Sequence, residues 1–249
     1  MADRARWQRL DAELARWEKA GRVADLWLRD DDAVEPTAPL ERLLASVRRH
    51  RLPATLAVIP AIAQTTLAER LTDEPGIAVA VHGWAHHNHA PADGKKEELG
   101  SHRRPEAVLS ELARGKAVID GLFGGSALPM LVPPWNRIDD AVVPLLGGLG
   151  FRALSVFGRA GALTAIRTIN THVDLIDWHG SRKCKDQGEL VSNIVDQLRS
   201  RRMSGSREPV GVLAHHLAHD EAAWSFLERL FEATADNPGC RWASVRELM

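Results

Sequence analysis

A β/α barrel is the fold class that this 249-residue sequence predicts, and three observations predict it. Short apolar stretches alternate with amphipathic ones along most of the chain, as strand-then-helix units do. The apolar stretches are near-continuous, the pattern of strands covered on both faces in a parallel sheet. Roughly seven such units occur without a glycine-rich phosphate loop, which favours a closed or nearly closed barrel over an open nucleotide-binding sheet.

Each element has its own local reason. Trp7, Leu10, Leu14 and Trp17 recur at helical spacing, and Gly21 stands where a C-terminal cap belongs. Residues 1–22 are therefore read as an amphipathic helix packed on one domain, 23–249. "VADLWLRDDD" is a strand ending in three aspartates, "PLERLLASVRRH" a helix, and "ATLAVIP" a strand stopped by proline. "TLAERL" is helical, and "GIAVAVHG" is a strand running into a histidine cluster. "RPEAVLSELARGKAVIDGLFG" carries a helical stripe through Val108, Leu112 and Ile119. Then come "PMLVPPW" (strand), "DDAVVPLLGGLG" (short helix), and "FRALSVF" and "HVDLIDWHG" (strands). "GELVSNIVDQLRSRRM" (helix), "PVGVLAHH" (strand) and "EAAWSFLERLFEATAD" (helix) follow, and "RWASVREL" closes as a strand or turn plus a short helix.

Composition excludes several function classes. Lys+Arg total 32 against 33 for Asp+Glu, so no charge excess points to nucleic acid or an anionic membrane as partner. No apolar run approaches a membrane span, and the charged N-terminal stretch is not a secretory signal, so a cytoplasmic location is expected. Cys184 and Cys240 are too few for a disulfide framework, and although "KCK" should lower the Cys184 pKa, it is read as an inert loop cysteine. Oligomeric state is not legible.

The strand ends concentrate polar groups: Asp30, Asp31 and Asp32; His82 and His86; Pro134, Trp135 and Asn136; Asp177, Trp178 and His179; His215 and His216. In β/α barrels the C-terminal ends of the strands form the active face. Two imidazoles four residues apart, completed by a carboxylate from the aspartate run, make three ligands for a divalent metal and leave positions open. A neighbouring aspartate could take a proton from water, and His215 or His216 could give one to a leaving group. Asp177 would orient that histidine. Trp84, Trp135 and Trp178 abut these motifs, and their flat rings suit sugar faces.

"RDDDA", "HGWAH", "VPPW", "DLIDW" and "LAH", in this order across residues 29–216, resemble the motifs of NodB-type polysaccharide deacetylases, carbohydrate esterase family four. The resemblance implies a distorted (β/α)7 barrel, a divalent metal (zinc first), and removal of N- or O-acetyl groups from a saccharide or polysaccharide. Carried over by position, it makes Asp31 the general base, Asp32, His82 and His86 the metal ligands, and His215 the general acid. Trp84, Pro134, Trp135, Asn136 and Trp178 become substrate contacts. An Asp30–Asp31 register for base and ligand stays open. The family arginine that positions the base falls at Val132, so that charge must come from elsewhere, Arg29 or Arg137. Two rival readings stand beside it: a catalytically degenerate saccharide-binding relative, and a hydrolase of another small cytoplasmic amide on the same scaffold.

Overall fold

The structure, a computed structural model, describes residues 2–159 and 166–249, with side chains from residue 5 onward. Helix α1 (Ala2–Lys19) precedes the first strand, β1 (Ala24–Ala33). Then follow α2 (Ala38–Arg49), β2 (Ala54–Val58), α3 (Thr65–Leu71), β3 (Ile77–His82), α4 (Pro105–Phe123) and β4 (Ala127–Val132). Three two-residue strands come next: β5 (Ala153–Leu154), β6 (Arg167–Thr168) and β7 (Val173–Asp174). The chain ends with α5 (Gln187–Ser204), β8 (Val210–Ala214), α6 (Glu221–Thr234), β9 (Cys240–Trp242) and α7 (Val245–Leu248).

The named strands pair in parallel in the order β6-β5-β4-β3-β2-β1-β8-β7, with β9 added on β1. This is the curled sheet of a distorted β/α barrel. Strand alternation divides its residues into two cores. Leu26, Leu28, Leu56, Val79, Val81, Leu131 and Val212 join the shell against the helices. Trp27, Ala57, Ala78, Ala80, Leu128, Met130, Val132 and Ala153 form a second, inner cluster, closed by Val245 and Leu248 of α7. The large Trp27 indole and the small alanines share this cluster. The indole Nε1 donates to Asn170 O at 3.0 Å. Gly211 makes room for it, because a Cβ there would meet both Trp27 Nε1 and Asn170 O at 2.5 Å.

Residues 143–149 form the expected short helix, of 3-10 type, since Pro144 and the Gly147–Gly148 pair disfavour a regular α-helix. One expectation is corrected. The "FRALSVF" and "HVDLIDWHG" stretches form ladders of only two residues each, with isolated bridges at Phe157 and Ile176. Beside them a side chain replaces ladder bonds: Asn170 Oδ1 accepts from Val156 N at 3.0 Å, and its Nδ2 donates to Gly158 O at 2.8 Å.

Trp7, Leu10, Leu14 and Trp17 of α1 are buried, and Trp17 Nε1 donates to Leu198 O of α5. No helix among the described residues is long and apolar enough to cross a membrane. The direction expected for the Cys184 pKa reverses, and the reading of an inert loop cysteine agrees with the result. Burial, then the charges of Asp220 and Asp186, push the Cys184 thiol up to about 11 against the pull of Lys185. Burial pushes Cys240 up to about 12. Both are poor nucleophiles at neutral pH.

Candidate active site

Strand β1 supplies the acidic groups. In a regular strand Asp30 and Asp32 would share a face, but the β1–β2 register slips between Asp30 and Ala33, and Asp32 takes φ +74°. The slip turns Asp31 and Asp32 to the same side. Asp30 points into the shell, where both its oxygens are engaged by His216. The main-chain N donates to Oδ2 at 2.8 Å, and ring Nδ1 contacts Oδ1. The pair therefore lies outside the cluster that Asp32, His82 and His86 form.

Strand β3 ends at His82, whose inward direction follows from alternation with Ala78 and Ala80. Its Nδ1 lies 2.9 Å from Val132 O, so that nitrogen donates to the carbonyl and Nε2 is the one that faces the site. Nε2 sits 3.1 Å from Asp32 Oδ1, and His86 Nε2 sits 3.4 Å from the same oxygen. One ligand atom from each of Asp32, His82 and His86 lies within 4.8 Å of the others. Two imidazole nitrogens and a carboxylate oxygen, with one tautomer fixed by a backbone carbonyl, fit a divalent transition metal.

The electrostatics agree with that fit. Burial alone would raise Asp32, but the hydrogen bond from His82 and the nearby imidazole charges hold its carboxyl well below the usual carboxylate range. Burial, and then His82, push His86 down, toward the neutral form a metal needs. Burial would also lower His82, yet the bond to Asp32 and the Asp31 charge raise it. The same field that draws a proton to Nε2 draws a dication.

Asp31 is gripped from below. Arg29, 0% exposed, stands two residues earlier on the same inward face. Its Nη2 donates to Asp31 Oδ2 at 2.9 Å, and its Nε lies 2.9 Å from Oδ1. Nη1 donates to Ser155 Oγ at 2.7 Å, and Nη2 also reaches Asn136 Oδ1 at 2.6 Å. Of the two arginines in question it is Arg29 that meets Asp31, whereas Arg137 donates to Lys96 O in an exposed loop. Val132 occupies the inner cluster opposite His82 in the β3–β4 register.

On the far side of Asp31, His215 Nε2 stands 4.0 Å from Oδ2. Its ring meets Trp178 edge-on at 4.7 Å between centroids. Asp177 is corrected. It is half-buried and accepts from Gly180 N and Ser181 N at 3.0 and 2.9 Å, because the Gly180–Ser181 turn captures it. The carboxylate that reaches the His215 side is the half-buried Asp174, which accepts from Trp178 Nε1 at 3.0 Å. Burial raises its pKa, although the His215 charge pulls the other way.

The expected substrate contacts divide. The Trp135 ring lies 4.3 Å from that of His86, and Trp178 flanks His215, so both stand beside the candidate site's imidazoles. Asn136 is taken by Arg29, and Pro134 is buried against Gly83. Trp84 turns away from the expected cleft, with Arg114 of α4 held 4.4 Å above its ring. His87 and His89 are exposed. Six described non-glycine residues have positive φ, and four of them, Asp32, His86, Trp135 and Asn136, are here. Such clustering marks a functional constellation held by its surroundings.

Residues 25–154, more than half of the chain, match the family described as polysaccharide deacetylase. No curated protein matches the chain. Among solved structures, a family 4 carbohydrate esterase from Streptomyces lividans in complex with acetate is similar at a TM-score of 0.58. It is 17% identical over 89% of this chain and 93% of that one. Peptidoglycan deacetylase PdaC from Bacillus subtilis gives 0.57 at 16% identity, over 91% and 90%. A peptidoglycan N-acetylglucosamine deacetylase gives 0.59 at 14%, over 91% and 88%. At these identities the likeness is one of fold, and it agrees with the (β/α)7 barrel. With the family match over more than half its length, the chain belongs to the polysaccharide deacetylase family.

Proposed function

We propose that the protein hydrolyses acetyl groups, N- or O-linked, from a saccharide, using a divalent metal held by Asp32, His82 and His86, with zinc first. The observation that carries this reading is one constellation: the three-ligand set beside Asp31, which is itself fixed between Arg29 and His215.

A metal bound there supplies Lewis-acid polarisation of the acyl oxygen and acidifies water. The protein's own groups do the rest. Asp31 receives the proton of the attacking water, and its carboxylate is aimed by Arg29. His215, across from it, protonates the departing amine or alcohol. Trp178 holds the His215 ring edge-on, and Trp135 offers a flat apolar face for a pyranose.

Of the two rivals, the degenerate binding relative drew its force from the valine at the motif-arginine position. Arg29 on Asp31 removes that ground. The test is acetate release from a panel of N-acetylated chitooligosaccharides and O-acetylated xylooligosaccharides, with and without a chelator. The expected result is chelator-sensitive release of acetate. Release of ammonia or formate from small amides, with no acetate from any saccharide, would favour the small-amide hydrolase instead. Binding without release would favour the degenerate relative.

A further inference from the structure

The loop joining the two candidate imidazole ligands leaves the sheet at Gly83, and its backbone donors need new partners. Gly83 N still reaches Val132 O at 3.1 Å. The next donors converge on one side chain from another part of the chain. Trp84 N donates to Glu98 Oε2 at 2.9 Å, and Ala85 N and His87 N donate to Oε1 at 2.9 and 3.2 Å. Glu98 is 0% exposed. A buried carboxylate is costly unless its lone pairs are filled, and three main-chain N–H groups fill them here.

Glu98 is itself anchored. Arg103 Nη1 donates to its carbonyl at 3.2 Å, while Arg103 is locked to Glu111 of α4 by two bonds of 2.8 Å. On either side, His89 N donates to Glu97 O, and Asp139 N donates to Leu99 O. Residues 97–99 thus strap the loop after β3 to the loop after β4. The fit leaves no slack. Gly83 has φ +58°, and a Cβ there would come within 2.1 Å of Glu98 Oε2 and 2.6 Å of Pro134.

The two imidazoles are aimed by different means. The His82 ring is held directly, through Nδ1 and Val132 O. His86 has φ +55°, so the direction of its ring depends on a main chain held in a left-handed conformation. The donors gripped by Glu98 lie immediately before and after it.

We propose that Glu98 is a positioning residue for His86: it clamps the Trp84–His87 backbone and so sets the affinity of the Asp32–His82–His86 site for its metal. This inference rests on the metal reading above. The test is the zinc dissociation constant, measured against a chromophoric chelator, in the wild type, Glu98→Gln, His86→Ala and the double variant. A metal-independent readout, the Tm in EDTA, is taken alongside. Gln keeps the shape but sets an N–H₂ against a backbone N–H. Outer-shell partners of metal ligands typically matter by 10–100-fold, so Glu98→Gln is expected to weaken zinc binding at least about tenfold.

In the His86→Ala background the same change is expected to have little further effect. A purely structural role would lower Tm in EDTA and leave the dissociation constant alone. If Glu98→Gln does not fold, Glu98→Asp, charged but one methylene shorter, is expected to give a smaller loss in the same direction. Wild-type affinity in either folded variant, or equal losses with and without His86, would overturn the clamp. A wild type that binds no zinc would instead overturn the metal reading beneath it.

Discussion

Replacing Asp31 by Asn is expected to abolish deacetylation while leaving metal content at the wild-type level. The carboxamide keeps the shape of the side chain but cannot accept the water's proton, and general-base assistance typically contributes about 10²–10⁴-fold. The three candidate ligand atoms belong to Asp32, His82 and His86 and are untouched by the change. Steady-state kcat beside elemental analysis of the same preparation checks both halves. An Asp31→Asn enzyme that turns over at the full rate would remove Asp31 from the reaction. Asp30 could not replace it without repacking, since both its oxygens are already engaged by His216.

The second large effect belongs to Arg29. Its guanidinium is fully buried and touches Asp31, Ser155 and Asn136 together. Arg29→Met leaves the Asp31 carboxylate buried without its cation, and breaking such a pair costs about 3–5 kcal/mol. For a chain of this size that corresponds to a Tm fall of roughly 6–20 °C. Turnover should fall with it, because Asp31 and Asn136 both lose their anchor. The informative companion is Arg29→Met combined with Val132→Arg. Val132 faces the same interior from β4, level with His82, so an arginine there can approach Asp31 from the neighbouring side. The double variant is expected to regain part of the lost Tm and part of the kcat. Arg29→Met with unchanged stability and rate would show that Asp31 needs no guanidinium.

How much of this was legible in the sequence follows from the range of the interactions involved. The long strands and helices are encoded by local periodicity, and their limits agree with the structure to within one or two residues in most cases. The two-residue strands β5 and β7 are shorter than their apolar stretches because side chains take main-chain partners: Asn170 takes Val156 N and Gly158 O beyond β5, and Asp174 takes Ile176 N beyond β7, which no pattern of apolar residues announces. The histidine pair stood out through its spacing at a strand end. The register of the aspartate run did not, because it depends on a slip of β1 against β2 and a left-handed Asp32.

Asp177 misled for a related reason. Its position beside Trp178 suggested the site, but Gly180 and Ser181 form a turn that takes its carboxylate outward. Arg29 was visible as a candidate through the lack of an arginine at Val132. The alternation of β1, which places Arg29 directly beneath Asp31, could have favoured it over Arg137. Glu98, twelve residues beyond His86 in an irregular loop, carried no local signal at all. Its part is defined by three backbone donors that only the folded chain brings together.

The most direct test of the central claim is the metal content of the purified protein, compared with an Asp32→Ala, His82→Ala double variant. About one transition-metal ion per chain, absent from the variant, is the predicted result, since two of the three proposed ligands are gone. A wild type that is metal-free, and stays so after incubation with zinc or cobalt, would contradict it.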